Sequence, residues 1–287
     1  MVYICTEKQM SNKSSRTLIN VIGLPLTLLL IYLGDIYFNF IIYVAIIIST
    51  REFNNICKRK KVDLNILWIY ISYLILFPGI YYNHKLFSIY FIELFFIFIL
   101  ILFIAEIFMN KERPFENISC SIFCLIWVGF SLITITMIRN IEIHGFLLTL
   151  IMFLSVWICD TFAFYFGSKF GIKKLLKTIS PNKTWFGSVA GFISVLVFNY
   201  ILFSFGIYNF SEYNFSIYDV LMFSFIFGII SQFGDLFESM IKRSVEIKDS
   251  GTILRGHGGF LDRMDSLMFV APLFYLYLKF FMGLNGQ

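Results

Sequence analysis

The residues best suited to chemistry lie together in one polar segment, 239–266, of an otherwise apolar chain. The segment is rich in glycine and in side chains that bind phosphate or metal ions. Its charged residues are Lys242, Arg243, Glu246, Lys248, Asp249, Arg255, Asp262, Arg263 and Asp265. His257 lies between Gly256 and Gly258, and Gly259 follows. Cations, carboxylates and flexible backbone in this combination suit phosphate and divalent-metal chemistry at a membrane surface.

A second group of polar side chains overlaps the start of this segment at helical spacing. Asp235, Glu238, Ser239 and Lys242 fall at i, i+3, i+4 and i+7, so a helix places them on one face. An ionised group near the bilayer centre costs about 2.5–3.5 kcal/mol or more, so Asp235 needs a partner. A divalent metal or Lys242 would supply it, and an ion pair that only closes the helix end is the alternative.

Asp262 and Asp265 stand three residues apart where the last apolar run begins. The helix dipole favours carboxylates at such an N-terminus, which alone would explain one of them as a cap. Beside Arg263 and the glycines they fit a Mg²⁺ site better, because Mg²⁺ takes one or two carboxylates plus substrate phosphates and water. The glycines let backbone N–H groups approach phosphate, and His257 would donate to a phosphate or leaving group.

Asp160 lies inside another apolar run, and the polar stretch 168–185 follows it. An intramembrane carboxylate indicates function by default, and a hydrogen-bonded structural Asp is the alternative. The lysine-rich stretch 173–177 favours an interfacial helix on anionic lipid. Lys183 and Thr184 come directly before the next apolar run and are better placed to bind phosphate.

The composition requires a membrane protein. Hydrophobic residues make up 59% of the 287 residues and charged residues 14%, whereas an average soluble domain has about 25% charged residues. Nine apolar runs have the length of membrane spans, which predicts an all-α polytopic protein. The runs are roughly 17–34, 36–50, 64–82, 86–108, 117–138, 145–167, 186–207, 217–238 and 266–284. The first two are tightly linked and could instead form a re-entrant pair.

The basic residues predict the orientation. With a cytoplasmic N-terminus, 20 of the 23 Lys and Arg residues fall on the cytoplasmic side, as the positive-inside rule requires. Nine spans then place the C-terminus outside and the loops 168–185 and 239–265 in the cytoplasm, where nucleotides are. Within one membrane domain, residues 1–140 are expected to form a scaffold half and residues 141–287 a catalytic half.

The polar segments together resemble a known enzyme family. The run SMIKRSVEIKDSGTILRGHGGFLDRMD, residues 239–265, resembles the signature of phosphatidate cytidylyltransferases (CDP-diacylglycerol synthases). CDTFAFYFGSKFG from Cys159, SPNKTW from Ser180 and FGDLFESMIKR from Phe233 fit the same family, so the resemblance covers roughly residues 155–275. The chain departs from the family at two positions. Phe186 stands where the family usually has Glu, and Arg255 where it usually has Pro.

The resemblance implies transfer of the cytidylyl group from CTP to phosphatidate, with one or two Mg²⁺ ions. Such a reaction needs charge neutralisation and in-line positioning. The expected metal ligands are Asp235, Asp262, Asp265 and Asp249. The expected catalytic residues are Asp235, Lys242, Arg243, His257, Asp262 and Arg263. The expected substrate-binding residues are Asp160, Lys183, Thr184, Ser239, Lys248, Gly256, Gly258 and Gly259.

The expected partners are CTP, phosphatidate and the lipid bilayer, with no nucleic acid, and a homodimer is left open. A bacterial inner membrane is expected, with the active site facing the cytoplasm. The alternatives are another CTP-dependent lipid transferase or kinase with an archaeol-type or polyprenol acceptor, or a protein inactivated by Phe186. An ion-coupled transporter using Glu93, Asp160 and Asp235 is a further alternative, but the charges gather at one face and no inverted repeat is evident.

Overall fold

The computed structural model describes residues 23–82, 84–141, 144–209, 215–251 and 258–280, and the side chains of residues 77–92 lie outside that description. The helices are α1 (Gly23–Leu33), α2 (Asp35–Lys58), α3 (Ile66–Tyr82), α4 (His84–Met109), α5 (Pro114–Cys124), α6 (Ser131–Arg139), α7 (Gly145–Phe170), α8 (Trp185–Ser204), α9 (Ile217–Phe225), α10 (Ser231–Ser244) and α11 (Leu261–Phe280). Two short strands, β1 (Lys174–Leu176) and β2 (Ser180–Thr184), form an antiparallel hairpin.

Helices overlap every predicted apolar run. Within the described residues, five helical stretches are long and apolar enough to cross a membrane. They are Asp35–Lys58, Pro114–Arg139, Gly145–Phe170, Trp185–Ser204 and Ile217–Ser244. The prediction of an all-α integral membrane protein is confirmed at this level. The count of nine spans, the orientation and the division into halves stay predictions.

A single residue, Gly34, separates α1 from α2. Its φ of +63° suits glycine, and a Cβ there would lie 2.0 Å from the guanidinium Nη2 of Arg139. Arg139 also donates from Nε to the carbonyl of Ile31 at 2.8 Å. A basic side chain therefore satisfies a carbonyl at the C-terminal end of α1.

Two long helical stretches contain wider, π-helical turns. One spans Leu125–Phe130, between α5 and α6, and the other spans Ile226–Ile230, between α9 and α10. Gln232 donates from Nε2 to the carbonyl of Gly228 at 2.6 Å across the second. A wider turn rotates the helix face that follows it, and here the following helix carries Asp235.

Small residues let α7 and α8 approach closely. Cys159 and Ala163 lie four residues apart on α7, and Gly187 and Gly191 lie four apart on α8. A Cβ at Gly187 would lie 2.5 Å from the carbonyl oxygen of Ala163, and one at Gly191 would lie 2.9 Å from that of Cys159. Small residues at this spacing are typical of close helix pairs in membranes. The contact aligns the turn that carries Asp160 with the first turns of α8.

The lysine-rich stretch 173–177 corrects one expectation, because it belongs to the hairpin and not to an interfacial helix. The chain leaves α7 at Gly171, which is extended (φ −80°, ψ 102°), before the lysines begin. A helix over this stretch would place three lysines on neighbouring turns, where their charges repel. The stretch instead pairs with β2 as β1. The N–H of Trp185 closes the hairpin by donating to the carbonyl of Lys173 at 3.0 Å.

The first half contains its own buried polar cluster. Glu106 is 3% exposed and accepts hydrogen bonds from the side-chain amides of Asn65 and Asn117, both at 2.8 Å. Buried carboxylates require such partners. Glu106 therefore stabilises the packing of the first half.

Candidate active site

An ion pair joins α10 to the hairpin. Nζ of Lys183 on β2 lies 2.7 Å from a carboxylate oxygen of Asp235 on α10. The hydroxyl of Ser239, one turn further along α10, lies 3.4 Å from the other oxygen of Asp235. Three residues that the sequence singled out for metal or substrate binding are thus brought together.

Two further carboxylates face this pair. Asp160 of α7 interacts electrostatically with Asp235, Lys183 and Arg263, and Asp265 of α11 interacts with Asp235 and Asp160. Asp160 is exposed, and Asp235 and Asp265 are half-buried. We call Asp160, Asp235 and Asp265 the acidic cluster. It collects carboxylates from three helices that are distant in sequence.

The acidic cluster has the chemistry of a site for a divalent cation. Within the described ranges, no three Asp, Glu, His or Cys side chains converge closely enough to hold an ion by themselves. Mg²⁺ typically needs only one or two carboxylates, because phosphate oxygens and water complete its shell. Mutual repulsion among three carboxylates would also be relieved by a cation. The donor set therefore fits Mg²⁺ together with a phosphate-bearing substrate.

A second, buried ionic group lies further along α10. Lys242 donates from Nζ to Asp262 at 2.6 Å and forms an ion pair with Glu238, which is 1% exposed. Two carboxylates thus surround one ammonium group. The residues of the predicted polar face of α10 therefore have different partners. Asp235 belongs to the acidic cluster, and Lys242 belongs to this buried group.

Asp262 organises the polar loop that precedes it. One of its oxygens accepts from the backbone N–H groups of Ser250 at 3.0 Å and Gly259 at 2.7 Å. Gly258 has a φ of +81°, and a Cβ there would lie 2.4 Å from the same carboxylate. Burial alone would raise the pKa of Asp262, but the hydrogen bonds it accepts, including the one from Lys242, hold the pKa below its ordinary value.

These contacts revise two expectations for the loop. The oxygens of Asp262 are occupied by Lys242 and two backbone amides, so a loop-holding role fits the geometry better than metal ligation. The N–H of Gly259 points at Asp262 and not at a phosphate. Gly258 and Gly259 are needed because side chains approach the loop closely. His257 and Gly256 lie outside the described residues.

Glu52 is a functional candidate that sequence reasoning missed. This carboxylate of α2 is 2% exposed and accepts from the hydroxyl of Ser250 at 3.0 Å. It also accepts from the backbone N–H groups of Phe260 at 3.0 Å and Leu261 at 2.8 Å. A Cβ on Gly259 would lie 2.3 Å from it. The sequence signal was one carboxylate next to Arg51 near the end of an apolar run, and the positive-inside rule accounts only for the basic residues there.

Two predicted phosphate-binding residues have structural partners. Thr184 is 3% exposed, and its hydroxyl accepts from the N–H of Gly187 at 3.1 Å, which caps α8. The hydroxyl of Thr184 is therefore engaged in the cap, and its role in binding a substrate stays a prediction. Arg243 is exposed and donates to the carbonyl oxygens of Ile179 at 3.3 Å and Ile247 at 2.7 Å. It ties the hairpin and the polar loop to α10.

Lys248 and Asp249 lie in another setting. Both line a polar cleft between the polar loop and the end of α2. No interaction of Asp249 with the acidic cluster is seen among the described contacts. The departure at Phe186 lies on the first turn of α8, where the half-exposed ring packs 5.7 Å from that of Phe170.

An apolar groove lies beside the acidic cluster. Its volume is about 380 Å³. It is lined from β1, α8 and α10, mainly by Leu176, Trp185, Val189, Phe192, Phe233 and Leu236. Phe233 lies two residues before Asp235 and Leu236 directly after it, so the groove reaches the turn of α10 that carries this carboxylate.

Charged groups gathered beside an apolar groove, on a scaffold of membrane-type helices, define an integral membrane protein with a polar site. The model of the cytidylyltransferase family matches residues 14–281. The chain therefore belongs to the cytidylyltransferase family, and the predicted family and enzyme class are confirmed.

Several curated relatives are similar to the chain. It is 28% identical over 273 residues to the phosphatidate cytidylyltransferase of Bacillus subtilis (strain 168), covering 95% of this chain and 100% of the relative. It is 33% identical over 175 residues to that of Thermotoga maritima, covering 61% and 64%. It is 38% identical over 156 residues to that of Staphylococcus saprophyticus, covering 54% and 58%.

Proposed function

We propose that the protein transfers the cytidylyl group of CTP to phosphatidate, forming CDP-diacylglycerol and pyrophosphate for phospholipid synthesis. The family match and the names of the bacterial relatives support this reaction. The structural observation that carries the proposal is the acidic cluster beside the apolar groove. A lipid with a phosphate headgroup would use both, because its acyl chains require an apolar surface and its phosphate requires the divalent cation that the carboxylates would hold.

The chemistry needs alignment more than a protein nucleophile. An oxygen of the phosphatidate phosphate attacks the α-phosphorus of CTP, the bond from that phosphorus to the α,β-bridging oxygen breaks, and pyrophosphate leaves with the electron pair. The protein must neutralise charge and hold the three groups in line. Lys183 and Arg263 both interact with the acidic cluster, which supports the proposal that they bind phosphate oxygens there.

We propose Asp235 and Asp265, with Asp160, as the ligands of one or two Mg²⁺ ions. When bound, the metal would supply charge neutralisation for the triphosphate and the leaving group. Asp262 and Lys242 would hold the polar loop against α10. The predicted roles of Ser239, Arg263 and His257 beside the substrates remain part of this proposal.

The reaction is proposed to take place at the cytoplasmic face of a bacterial inner membrane. The concentration of basic residues on one side supports this orientation, and the relatives named above are bacterial. CTP would then reach the polar loops from the cytoplasm while the lipid remains in the bilayer. A homodimer stays an open prediction.

The test is conversion of phosphatidate by the purified protein in liposomes, with CTP and with or without Mg²⁺. We expect CDP-diacylglycerol and pyrophosphate in equal amounts, loss of both on chelation, and recovery when Mg²⁺ is returned. Preferential conversion of an archaeol-type or polyprenol acceptor in a mixed assay would favour the alternative lipid enzymes. CTP binding without any product would point to Phe186, and Phe186→Glu would be assayed next.

A further inference from the structure

A polar cleft lies between the end of α2 and the polar loop after α10. Its volume is about 660 Å³, within the range of about 300–1,000 Å³ that small-molecule sites occupy. The polar residues that line it from α2 are Arg51, Glu52, Asn55 and Arg59, and those from the loop include Lys248 and Asp249. The cleft thus joins the half expected to be a scaffold to the loop expected to be catalytic.

The α2 side of the cleft is a regular stripe of donors. Arg51, Asn55 and Arg59 recur every fourth residue at and just beyond the end of α2, so they share one face. All three are exposed, and Lys248 faces them from the loop. In the part of the chain that the structure describes, no ion pair within 4 Å joins Arg51, Arg59 or Lys248 to a carboxylate.

The walls of the cleft are held in place by a buried carboxylate. Glu52 lies next to Arg51, and all its hydrogen bonds go to Ser250, Phe260 and Leu261 of the loop and its junction with α11. The negative charge of Glu52 is therefore stabilised by donors of the loop, while the guanidinium groups of Arg51 and Arg59 are exposed at the cleft. A fixed wall with outward cations is preorganised for an anion.

The cleft is also linked to the proposed active site. Ser250 donates its hydroxyl to Glu52 and its backbone N–H to Asp262, which in turn accepts from Lys242. A ligand in the cleft would therefore affect the position of the loop that precedes α11. Basic residues that only set the orientation in the membrane would not need hydrogen bonds that link their helix to the proposed active site. Lys58 and Lys60, on the same helix end, are not among the residues lining the cleft and provide an internal comparison.

We propose that this cleft binds a phosphate-bearing anion through Arg51, Arg59 and Lys248. A guanidinium group can donate two parallel hydrogen bonds to the oxygens of one phosphate, and the ammonium group of a lysine adds a point charge. In the proposed reaction, on which this inference rests, the phosphates come from either the nucleotide or a lipid headgroup. Both sources share the same chemistry at the cleft and are separated by the experiment.

The experiment compares Arg51→Gln/Arg59→Gln with Lys58→Gln/Lys60→Gln, which removes the same charge outside the cleft. KM for CTP and KM for phosphatidate in mixed micelles are measured for both variants and for the wild type. We expect the cleft variant to raise one of these KM values at least about tenfold, because each Arg loses charge-assisted hydrogen bonds. A rise for CTP identifies the nucleotide, and a rise for phosphatidate identifies the lipid headgroup. Unchanged values, or equal changes in the control, overturn the proposal.

A binding measurement separates this inference from the proposed reaction. Inorganic tripolyphosphate is titrated into the full-length protein in detergent, without reference to turnover. We expect the wild type and the control to bind it, and Lys248→Gln and the double Arg variant to bind it at least about tenfold more weakly. Weaker binding by the cleft variants than by the wild type, found together with a wild type that makes no CDP-diacylglycerol, would retain the cleft and reject the reaction. Equal binding by all proteins would reject the cleft.

Discussion

Glu52 and Glu106 are two buried carboxylates of the first half with different kinds of partner. Glu106 accepts from the amide side chains of Asn65 and Asn117 within that half. Glu52 accepts from a hydroxyl and two backbone N–H groups around the polar loop, about 200 positions away in the chain. Since burial requires partners in both cases, the difference lies in what each carboxylate holds.

We expect Glu52→Gln to lower kcat/KM by about tenfold or more, because the amide nitrogen would face backbone donors and charge-assisted hydrogen bonds worth about 1.5–3 kcal/mol each would be lost. Glu106→Gln is the matched control and should lower thermal stability without a comparable loss of turnover. Steady-state kinetics and a thermal unfolding assay measure both effects. Parallel losses in the two variants would show that Glu52 contributes only general stability.

Asp235 and Asp262 are both predicted metal ligands, and their contacts differ in the structure. Asp235→Asn should reduce turnover by about a hundredfold or more and raise the Mg²⁺ concentration needed for half-maximal activity, because a metal ligand is lost. Asp262→Asn should also reduce turnover, through the loop, but leave the Mg²⁺ dependence unchanged. Turnover measured across a Mg²⁺ series distinguishes them. A higher Mg²⁺ requirement in Asp262→Asn would instead support the prediction that Asp262 is a metal ligand.

At the scale of elements, the start of α8 shows how a cap can resemble a binding residue. Thr184 follows Lys183 directly, and only its burial and its contact with Gly187 distinguish capping from phosphate binding. Thr184→Ser should retain the cap, while Thr184→Val should cost about 1 kcal/mol of stability. KM values for both substrates should stay close to wild type in Thr184→Ser. A large KM change in that variant, without loss of stability, would favour direct substrate contact.

Helix periodicity in α10 was predictable, but the partners of its side chains were not. The spacing of Asp235, Ser239 and Lys242 correctly indicates one polar helix face. The structure then gives Asp235 a partner from the hairpin and Lys242 a partner from α11. Those contacts depend on how distant segments pack, and local spacing carries no such information.

The hairpin and Glu52 were missed for related reasons. The lysines of 173–177 satisfy the pattern of an amphipathic surface helix, and only cross-strand pairing favours the extended alternative. Glu52 lies in the last two turns of α2, near basic residues that are expected for topology alone, and these drew attention away from the carboxylate. Its partners include Phe260 and Leu261, far along the chain. Both errors come from tertiary contacts that outweigh local preference.

At the scale of the whole molecule, hydrogen bonds join the predicted scaffold half to the predicted catalytic half. Glu52 and the cleft residues Arg51 and Arg59 connect α2 to the polar loop, while the acidic cluster draws on α7, α10 and α11. The proposed chemistry requires all the loops involved to lie on one side of the membrane. The predicted topology therefore has a functional consequence that a labelling experiment can test.

Single cysteines at two exposed positions test the orientation. Glu112, between α4 and α5, is predicted to be cytoplasmic, and Asn209, after α8, is predicted to be outside. In a variant whose five native cysteines are replaced, an impermeant maleimide should label Asn209→Cys in intact cells and Glu112→Cys only after permeabilisation. The reverse pattern would invert the protein and place the proposed CTP site outside. Equal labelling of both positions would mean an even number of crossings between them, so that one of the three helical stretches that separate them does not span the bilayer.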